Sequence, residues 1–346
     1  MPQRFHTIDS TRFILAILVV FIHMTDRGLI ISPTNSTHPI YTFIDQGFMP
    51  YLTTLAIPGF FILSGYLFFT GFNVWDWSRY RTKIGSRLHT LLIPFFLWNL
   101  MKYTSLVLIE FPHLGSNAYF HVFREYGSLR MFWDGNAELS SPILLSTWFL
   151  RDLFILCTLS PIFYFVIKKS HGWIILCLIM LTSWNFWPTH NICSATNVLS
   201  FACGATISIF HRDLLQTIEE HQHSLYIIAF VSLFSLFIFE TNFAHIIYML
   251  AGNGCLISIL LHLHKHKLDI PQHLCRSSMT IYLGHTFLTL SLTTHIIDKL
   301  LPFPGDTFST IRYFLIITVT ILFLILFDHI IRKYTPRLSR LLLGNR

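Results

Sequence analysis

Long apolar blocks separated by short polar segments dominate the chain along its whole length. Many blocks approach the roughly 20 residues that an α-helix needs to cross the hydrocarbon core of a bilayer. The pattern therefore predicts an all-α, polytopic membrane helix bundle with about ten transmembrane helices. The predicted spans are 11–31, 48–71, 88–109, 146–167, 173–187, 195–210, 224–240, 244–263, 279–298 and 311–331.

The composition supports a membrane protein. Of the 346 residues, 53% are hydrophobic and 12% are charged. A soluble protein of this length carries about twice that share of charge. The first block is followed by further spans and not by a small-residue cleavage site. We therefore interpret it as a retained helix and not as a signal peptide.

The placement of basic residues predicts the orientation. With a cytoplasmic N-terminus, the predicted inner segments hold 17 of the 24 Lys and Arg residues, as the positive-inside rule requires. An even number of spans returns the C-terminus to the cytoplasm. This placement explains the formal net charge of +7 without a nucleic-acid partner.

The first block carries two polar residues on one helix face. Arg12 and His23 are eleven residues apart, which is about three turns plus 20° and a rise of roughly 16 Å. Ala16 and Val19 lie on the same stripe. Because buried cations and imidazoles in lipid usually face a bundle interior or a wet cavity, we expect this stripe to form the wall of an active-site tunnel. The alternative is a positive-inside anchor together with a hydrogen-bonded core histidine.

This pair suits acyl transfer from a long anionic donor. Histidine is the usual general base for deprotonating a hydroxyl that attacks a thioester. The guanidinium of Arg12 stays charged and binds phosphate well. Coenzyme A carries phosphates at one end and a thioester on a long arm, with a reach on the order of the Arg12–His23 separation. An acyl-histidine intermediate is an alternative to direct transfer.

Other polar residues in the apolar blocks have open roles. Asp45 lies in the first outward loop, and His285 is either a satisfied core histidine or a second member of the cavity. Arg151 and Asp152 are adjacent, so their side chains leave a helix about 100° apart. We expect each of these two to pair with another span.

Neither metal binding nor disulfide bonding is indicated. The run from His262 to Lys267 contains three histidines, but its lysines repel cations and no second cluster completes a site. We therefore expect no metal. The six cysteines show no metal-ligand spacing, and we interpret them as buried apolar thiols.

Arg12, ten residues and His23 form an Arg-x10-His pattern. Together with four further motifs it resembles the acyltransferase-3 family of integral-membrane acyltransferases, which includes bacterial O-acetylases of lipopolysaccharide and other surface glycans. The resemblance covers nearly the whole chain, although Phe13 stands where many members have Gly. The further motifs are Phe60-Phe61-Ile62-Leu63-Ser64-Gly65-Tyr66, Lys83 and Arg87 ahead of Leu91-Leu92-Ile93-Pro94, Trp148-Phe149-Leu150 leading to Ser160-Pro161, and Ile281-Tyr282-Leu283-Gly284-His285.

The resemblance implies an enzyme. Its donor is an acyl-CoA, usually acetyl-CoA, and its acceptor is presented from the far side of the membrane. By the matching positions, His23 is the expected catalytic residue, and Arg12, Ser64, Lys83 and Arg87 are the expected donor-binding residues. We expect one acyltransferase-3-like transmembrane domain over 1–346, without the appended soluble domain of some members.

The leading hypothesis is a bacterial inner-membrane O-acyltransferase. It carries acetyl groups from cytoplasmic acetyl-CoA to a hydroxyl of a glycan or lipid-linked sugar on the periplasmic side. Membrane lipids are a further expected partner, and no nucleic acid is expected. The alternative is a transporter or exporter of a polysaccharide or small solute, because intramembrane Arg and His also line transport paths. The motif match and the lack of an internal repeat favour the enzyme.

Overall fold

A computed structural model of the protein describes residues 2–24, 39–126, 128–135, 141–186 and 192–344, with side chains from His6 onward. Within these ranges the chain is helical and contains no β-strand. The α-helices are α1 (Pro2–Ile22), α2 (Pro39–Thr42), α3 (Met49–Thr53), α4 (Ala56–Phe69), α5 (Trp77–Arg87), α6 (Ile93–Leu114), α7 (Ala118–Glu125), α8 (Trp148–Thr158), α9 (Ser160–Lys169), α10 (Ile174–Ser183), α11 (Ala195–Ile209), α12 (Leu214–Glu220), α13 (Gln222–Phe239), α14 (Asn242–Lys265), α15 (Gln272–Cys275), α16 (Ser278–Gly284), α17 (Leu290–Leu300), α18 (Asp306–Tyr334) and α19 (Pro336–Leu343). Shorter π-helical turns cover Phe43–Phe48, Leu88–Leu92 and His285–Thr289, and 3-10 turns cover Gly115–Asn117, Ser128–Phe132 and Leu145–Thr147.

Several of these helices are suited to a membrane. In the described ranges, five helical segments are long and apolar enough to cross a bilayer, and the number is seven when two bent pairs each count as one span. The prediction of an all-α protein with several membrane helices is confirmed. The five segments are Pro39–Phe69, Trp77–Glu125, Gln222–Phe239, Asn242–Lys265 and Asp306–Tyr334.

Two apolar helices are sharply bent, one inside the predicted span 146–167 and the other at the end of the predicted span 195–210. Leu145–Thr158 and Ser160–Lys169 meet at 56°, close to Pro161, which has no N–H to continue the helical hydrogen bonds. Ala195–Ile209 and Leu214–Glu220 meet at 96°. At that corner the Asp213 carboxylate accepts a hydrogen bond of 2.9 Å from the Leu215 N–H and starts the second helix.

Two other predicted spans differ in length from the helices that the structure shows. Helix α10 has ten residues, about 15 Å of helix and half of the hydrocarbon core. Helix α1 ends at Ile22, earlier than the predicted boundary at residue 31. The predicted first outward loop, Thr25 to Gly47, lies outside the described residues as far as His38, and from Pro39 it is helical.

Glycines hold α4 against α11. A Cβ atom on Gly65 would overlap the carbonyl oxygen of Phe201, and one on Gly204 would overlap that of Ile62. Only hydrogen at these positions lets the two backbones meet. Gly65 and Gly204 therefore allow the close approach of α4 and α11.

Helix α1 packs against α4, α14 and α16 and extends between two ends of the bundle. At its start, His6 contacts Asp269, which follows α14. At the opposite end of the bundle, the Asp306 carboxylate accepts 2.8 Å hydrogen bonds from the N–H groups of Ile40 and Tyr41. We call these the His6 end and the Asp306 end.

Candidate functional site

His23 occupies the turn that follows α1. Its N–H donates a 3.2 Å hydrogen bond to the carbonyl of Val20, so the backbone keeps close to the helical path. The side chain is half-buried. Its ring centroid lies 4.9 Å from that of His285, and the two rings are inclined by 45°. His23 therefore faces the interior of the bundle.

His285 is fully buried, with 0% exposure, where α16 passes into the π-helical turn. Its Nδ1 lies 3.1 Å from the carbonyl oxygen of Ile281. Because a carbonyl only accepts, Nδ1 carries the ring hydrogen and Nε2 is the unprotonated nitrogen. Nε2 has no hydrogen-bond partner among the described residues. Its lone pair is available to a donor beside the ring.

Hydroxyl groups fix the turn that carries His285. Ser146 donates a 3.2 Å hydrogen bond to the carbonyl of Leu283, and Thr286 donates one of 2.9 Å to Ser146. Thr289 donates one of 3.0 Å to the carbonyl of His285. These hydroxyl residues were not predicted from the sequence. The one available signal was the placement of Thr286 directly after a histidine in an apolar block.

Arg12 lies toward the His6 end of α1. It forms a 3.3 Å ion pair with Asp9 one turn earlier, and the Arg12 side chain is 26% exposed. Arg87, at the end of α5, lies close enough for its charge to repel that of Arg12. The structure therefore brings together two of the residues predicted to bind the donor.

Lys83 has a different environment. Its ammonium donates hydrogen bonds to the carbonyls of Phe68 and Thr70, the latter at 2.9 Å. These carbonyls belong to the last turn of α4, which has no further N–H groups to bind them. Lys83 therefore caps α4, and its charge adds to the basic surface beside Arg12 and Arg87.

Ser64 lies midway along α4, between the histidines and the basic residues. It belongs to a half-buried stripe formed by Ile57, Phe60, Ser64 and Leu67. Phe60 contacts the ring of Tyr282 at 5.6 Å, so the stripe faces the interior of the bundle. The Ser64 hydroxyl makes no hydrogen bond to any described residue.

The stripe of α1 between Arg12 and His23 is packed. Ala16 is 0% exposed and Val19 is 2% exposed, whereas the two polar residues at its ends are half-buried. In this structure the stripe is therefore not the open tunnel wall that the sequence predicted. Apolar side chains from neighbouring helices fill the space that a tunnel requires.

A family model described as an acyltransferase domain matches residues 5–338. The chain belongs to the acyltransferase-3 family. The match covers nearly the whole chain, from before Arg12 to α19. No curated protein matches the chain, and no solved structure does.

In this acyltransferase, Arg151 and Asp152 pair with each other. The Arg151 Nε donates a 3.0 Å hydrogen bond to Asp152, and the pair is 2% and 1% exposed. Asp152 also accepts from the Cys193 N–H at 2.9 Å. Asp152 accepts a further 3.4 Å hydrogen bond from Asn197 of α11, so the prediction that it pairs with another span is confirmed. The direct pair with Arg151 was not predicted, and it forms because the long arginine side chain curls back across the 100° step.

Asp45 of the acyltransferase is buried at 2% exposure in the first π-helical turn. It lies beside Tyr313, whose ring contacts those of Phe21 at 6.0 Å and Tyr41 at 5.7 Å. Phe21 precedes His23 by two residues. Asp45 therefore belongs to the end of the bundle where His23 lies, behind a layer of aromatic rings.

The cysteines of the acyltransferase are all free. Cys177 is exposed, so the prediction of buried thiols is wrong for this residue. Burial, together with the charge of Asp152, raises the pKa of the Cys193 thiol to about 12. A thiol that is neutral at physiological pH is a poor nucleophile for covalent transfer.

Proposed function

We propose that this acyltransferase moves an acetyl group from acetyl-CoA to a hydroxyl of a glycan or lipid-linked sugar in the bacterial inner membrane, with His23 as the general base. The observation that carries the proposal is the contact between His23 and His285 in the bundle interior. If Arg12 were only a positive-inside anchor and His23 only a core histidine, nothing would require a second imidazole beside His23.

His285 supports the base. Its Nδ1–H is bound to the Ile281 carbonyl, so its Nε2 accepts a hydrogen bond from an N–H of His23 after a small rotation of either ring. The second nitrogen of His23 then holds its lone pair toward the acceptor hydroxyl. As in other catalytic pairs, the buried partner fixes the tautomer of the base and stabilises the cation that forms.

The proposed reaction transfers the acetyl group directly, without a covalent enzyme intermediate. His23 takes the hydroxyl proton while the hydroxyl oxygen attacks the carbonyl carbon of the thioester. The carbon–sulfur bond breaks, and His23 returns the proton to the sulfur of coenzyme A. The products are the acetyl ester and free coenzyme A, and His23 is neutral again.

The donor phosphates bind at the basic end of the site. Arg12 and Arg87 repel each other, and Arg87 makes no hydrogen bond or ion pair within the described part of the chain. An anion between them relieves this repulsion and gains bidentate hydrogen bonds. Lys83 contributes charge while it caps α4.

The thioester arm follows α4 and not α1. The direct path along Ala16 and Val19 is packed, whereas the half-buried stripe that contains Ser64 leads from the capped end of α4 to Phe60. Phe60 contacts Tyr282, and the Tyr282 ring lies 6.2 Å from that of His285. The Ser64 hydroxyl offers a polar contact about halfway along the path.

The experiment uses the purified full chain with labelled acetyl-CoA and extracted envelope glycans. We expect label to appear in the glycan fraction as a base-labile ester, and mass spectrometry of intact cells to show the same modification. Unmodified glycan in both experiments contradicts the proposal. Passage of unmodified solute into proteoliposomes instead supports a transporter.

A further inference from the structure

Three potential metal ligands meet at the His6 end of the bundle. His6 comes from α1, His264 from the last turns of α14, and Asp269 from the segment that follows. One carboxylate oxygen of Asp269 lies 2.6 Å from Nδ1 of His264 and 3.5 Å from Nδ1 of His6. All three ligand atoms lie within 4.8 Å of one another.

The two imidazoles are held in a shared orientation. Their ring centroids are 5.4 Å apart and the rings are inclined by only 20°. Ser10, one turn after His6, has its hydroxyl oxygen 3.3 Å from His6 Nδ1. The three side chains are 16–35% exposed, so an ion has access from solvent.

This arrangement changes the interpretation of the histidine run. No second cluster around His264 is visible in the sequence, but the fold brings His6 from α1 and Asp269 from the segment after α14 beside it. The adjacent Lys265 forms an ion pair with Glu219, so its charge is partly compensated. The lysines of this run therefore repel a bound cation less than their number suggests.

We propose that His6, His264 and Asp269 bind a divalent ion of the zinc type. Two imidazole nitrogens and one carboxylate oxygen are the ligand types that Zn²⁺ takes in three-ligand sites, with water in the remaining position. Mg²⁺ prefers oxygen ligands and is excluded by two histidines. On binding, each neutral ring carries its hydrogen on Nε2, and the ion replaces the hydrogen bond between His264 and Asp269.

The ion links α1 to α14. Arg12 lies six residues beyond His6, about 9 Å along the same helix. Bound metal therefore holds α1 against α14 at the end of α1 that carries Arg12, one of the proposed donor-binding residues. This inference concerns a site outside the acyl-transfer site, and its test does not depend on acetyl transfer.

The experiment measures zinc binding and apparent Tm with the full chain in detergent. We expect about one zinc ion per chain after dialysis and a higher Tm with Zn²⁺, because an ion that binds only the folded state stabilises it. Mg²⁺ should leave the Tm unchanged. His264→Ala and His6→Ala should lose both effects.

Matched variants separate the site from general histidine binding. Asp269→Asn keeps the shape of the side chain and should weaken zinc affinity by at least about tenfold. His262→Ala and His266→Ala remove a neighbouring pair whose rings lie 4.5 Å apart, and they should retain the bound zinc. The proposal is overturned if wild-type protein holds no zinc, or if these control variants lose zinc while Asp269→Asn retains it.

Discussion

The imidazole rings of His23 and His285 lie 4.9 Å apart, although one follows α1 and the other ends α16. His285 is fixed by a carbonyl on one side and has an unoccupied nitrogen on the other. His23 is half-buried and therefore accessible to a substrate. In the mechanism that we propose, this asymmetry favours His23 as the reacting base and His285 as its support.

The supporting role predicts a graded response at position 285. His285→Ala should lower kcat by about 10- to 100-fold, because a hydrogen bond to a developing charge contributes about 1.5–3 kcal/mol. The KM for acetyl-CoA should stay close to the wild-type value. His285→Gln places an amide oxygen near the position of Nε2 and should recover part of the lost kcat.

Steady-state kinetics of the wild type, His285→Ala and His285→Gln check this prediction. A merely structural His285 would give two variants with equally reduced Tm and no difference in kcat per folded molecule. Rescue by glutamine with an unchanged Tm supports the positioning role.

Arg12→Gln tests donor binding. Loss of a charge-assisted contact to phosphate should reduce kcat/KM for acetyl-CoA by about 10- to 100-fold, mainly through KM. Arg12→Lys keeps the charge but loses the bidentate geometry, so its kcat/KM should lie between those of the wild type and Arg12→Gln. An Arg12→Gln enzyme with wild-type KM would remove Arg12 from the donor site.

The spacing of apolar and polar residues in the sequence predicted those features that lie within a single helix. The apolar blocks predict the main helices, and the eleven-residue spacing places Arg12 and His23 on one face. Each of these inferences needs only the geometry of a single element.

Contacts between distant segments could not be predicted in this way. The pairing of His23 with His285 depends on how α1 packs against α16, and no local pattern encodes that register. His6, His264 and Asp269 meet for the same reason. The Arg151–Asp152 pair was missed because helix angles describe Cβ directions and not the reach of a long side chain.

Lys83→Met tests whether Lys83 caps α4. We expect a loss of about 1 kcal/mol in unfolding free energy, because two carbonyls of α4 lose their charged donor in a half-exposed position. Arg81, also on α5, is exposed and makes no hydrogen bond in the described structure. Arg81→Met is the matched control and should change stability by less than about 0.5 kcal/mol. Equal Tm values for the two variants would contradict the capping role.

Gly65→Ala tests the crossing of α4 and α11. The added methyl group meets backbone atoms of Phe201, which cannot rotate away, so we expect a loss of about 1–3 kcal/mol. Gly85 has no atom within 4 Å of its Cβ position, and Gly85→Ala should stabilise α5 by roughly 0.5–1 kcal/mol. Opposite shifts in apparent Tm check this prediction, and a neutral Gly65→Ala would contradict the close contact.

The role of His23 as the general base is tested most directly by the rate of acetyl transfer by His23→Ala. Release of free coenzyme A and formation of the labelled ester are measured together, with His113→Ala as an exposed-histidine control. We predict that kcat falls by about 10²- to 10⁴-fold in a variant with wild-type Tm, while the control keeps full activity. Wild-type transfer by folded His23→Ala protein would contradict the account.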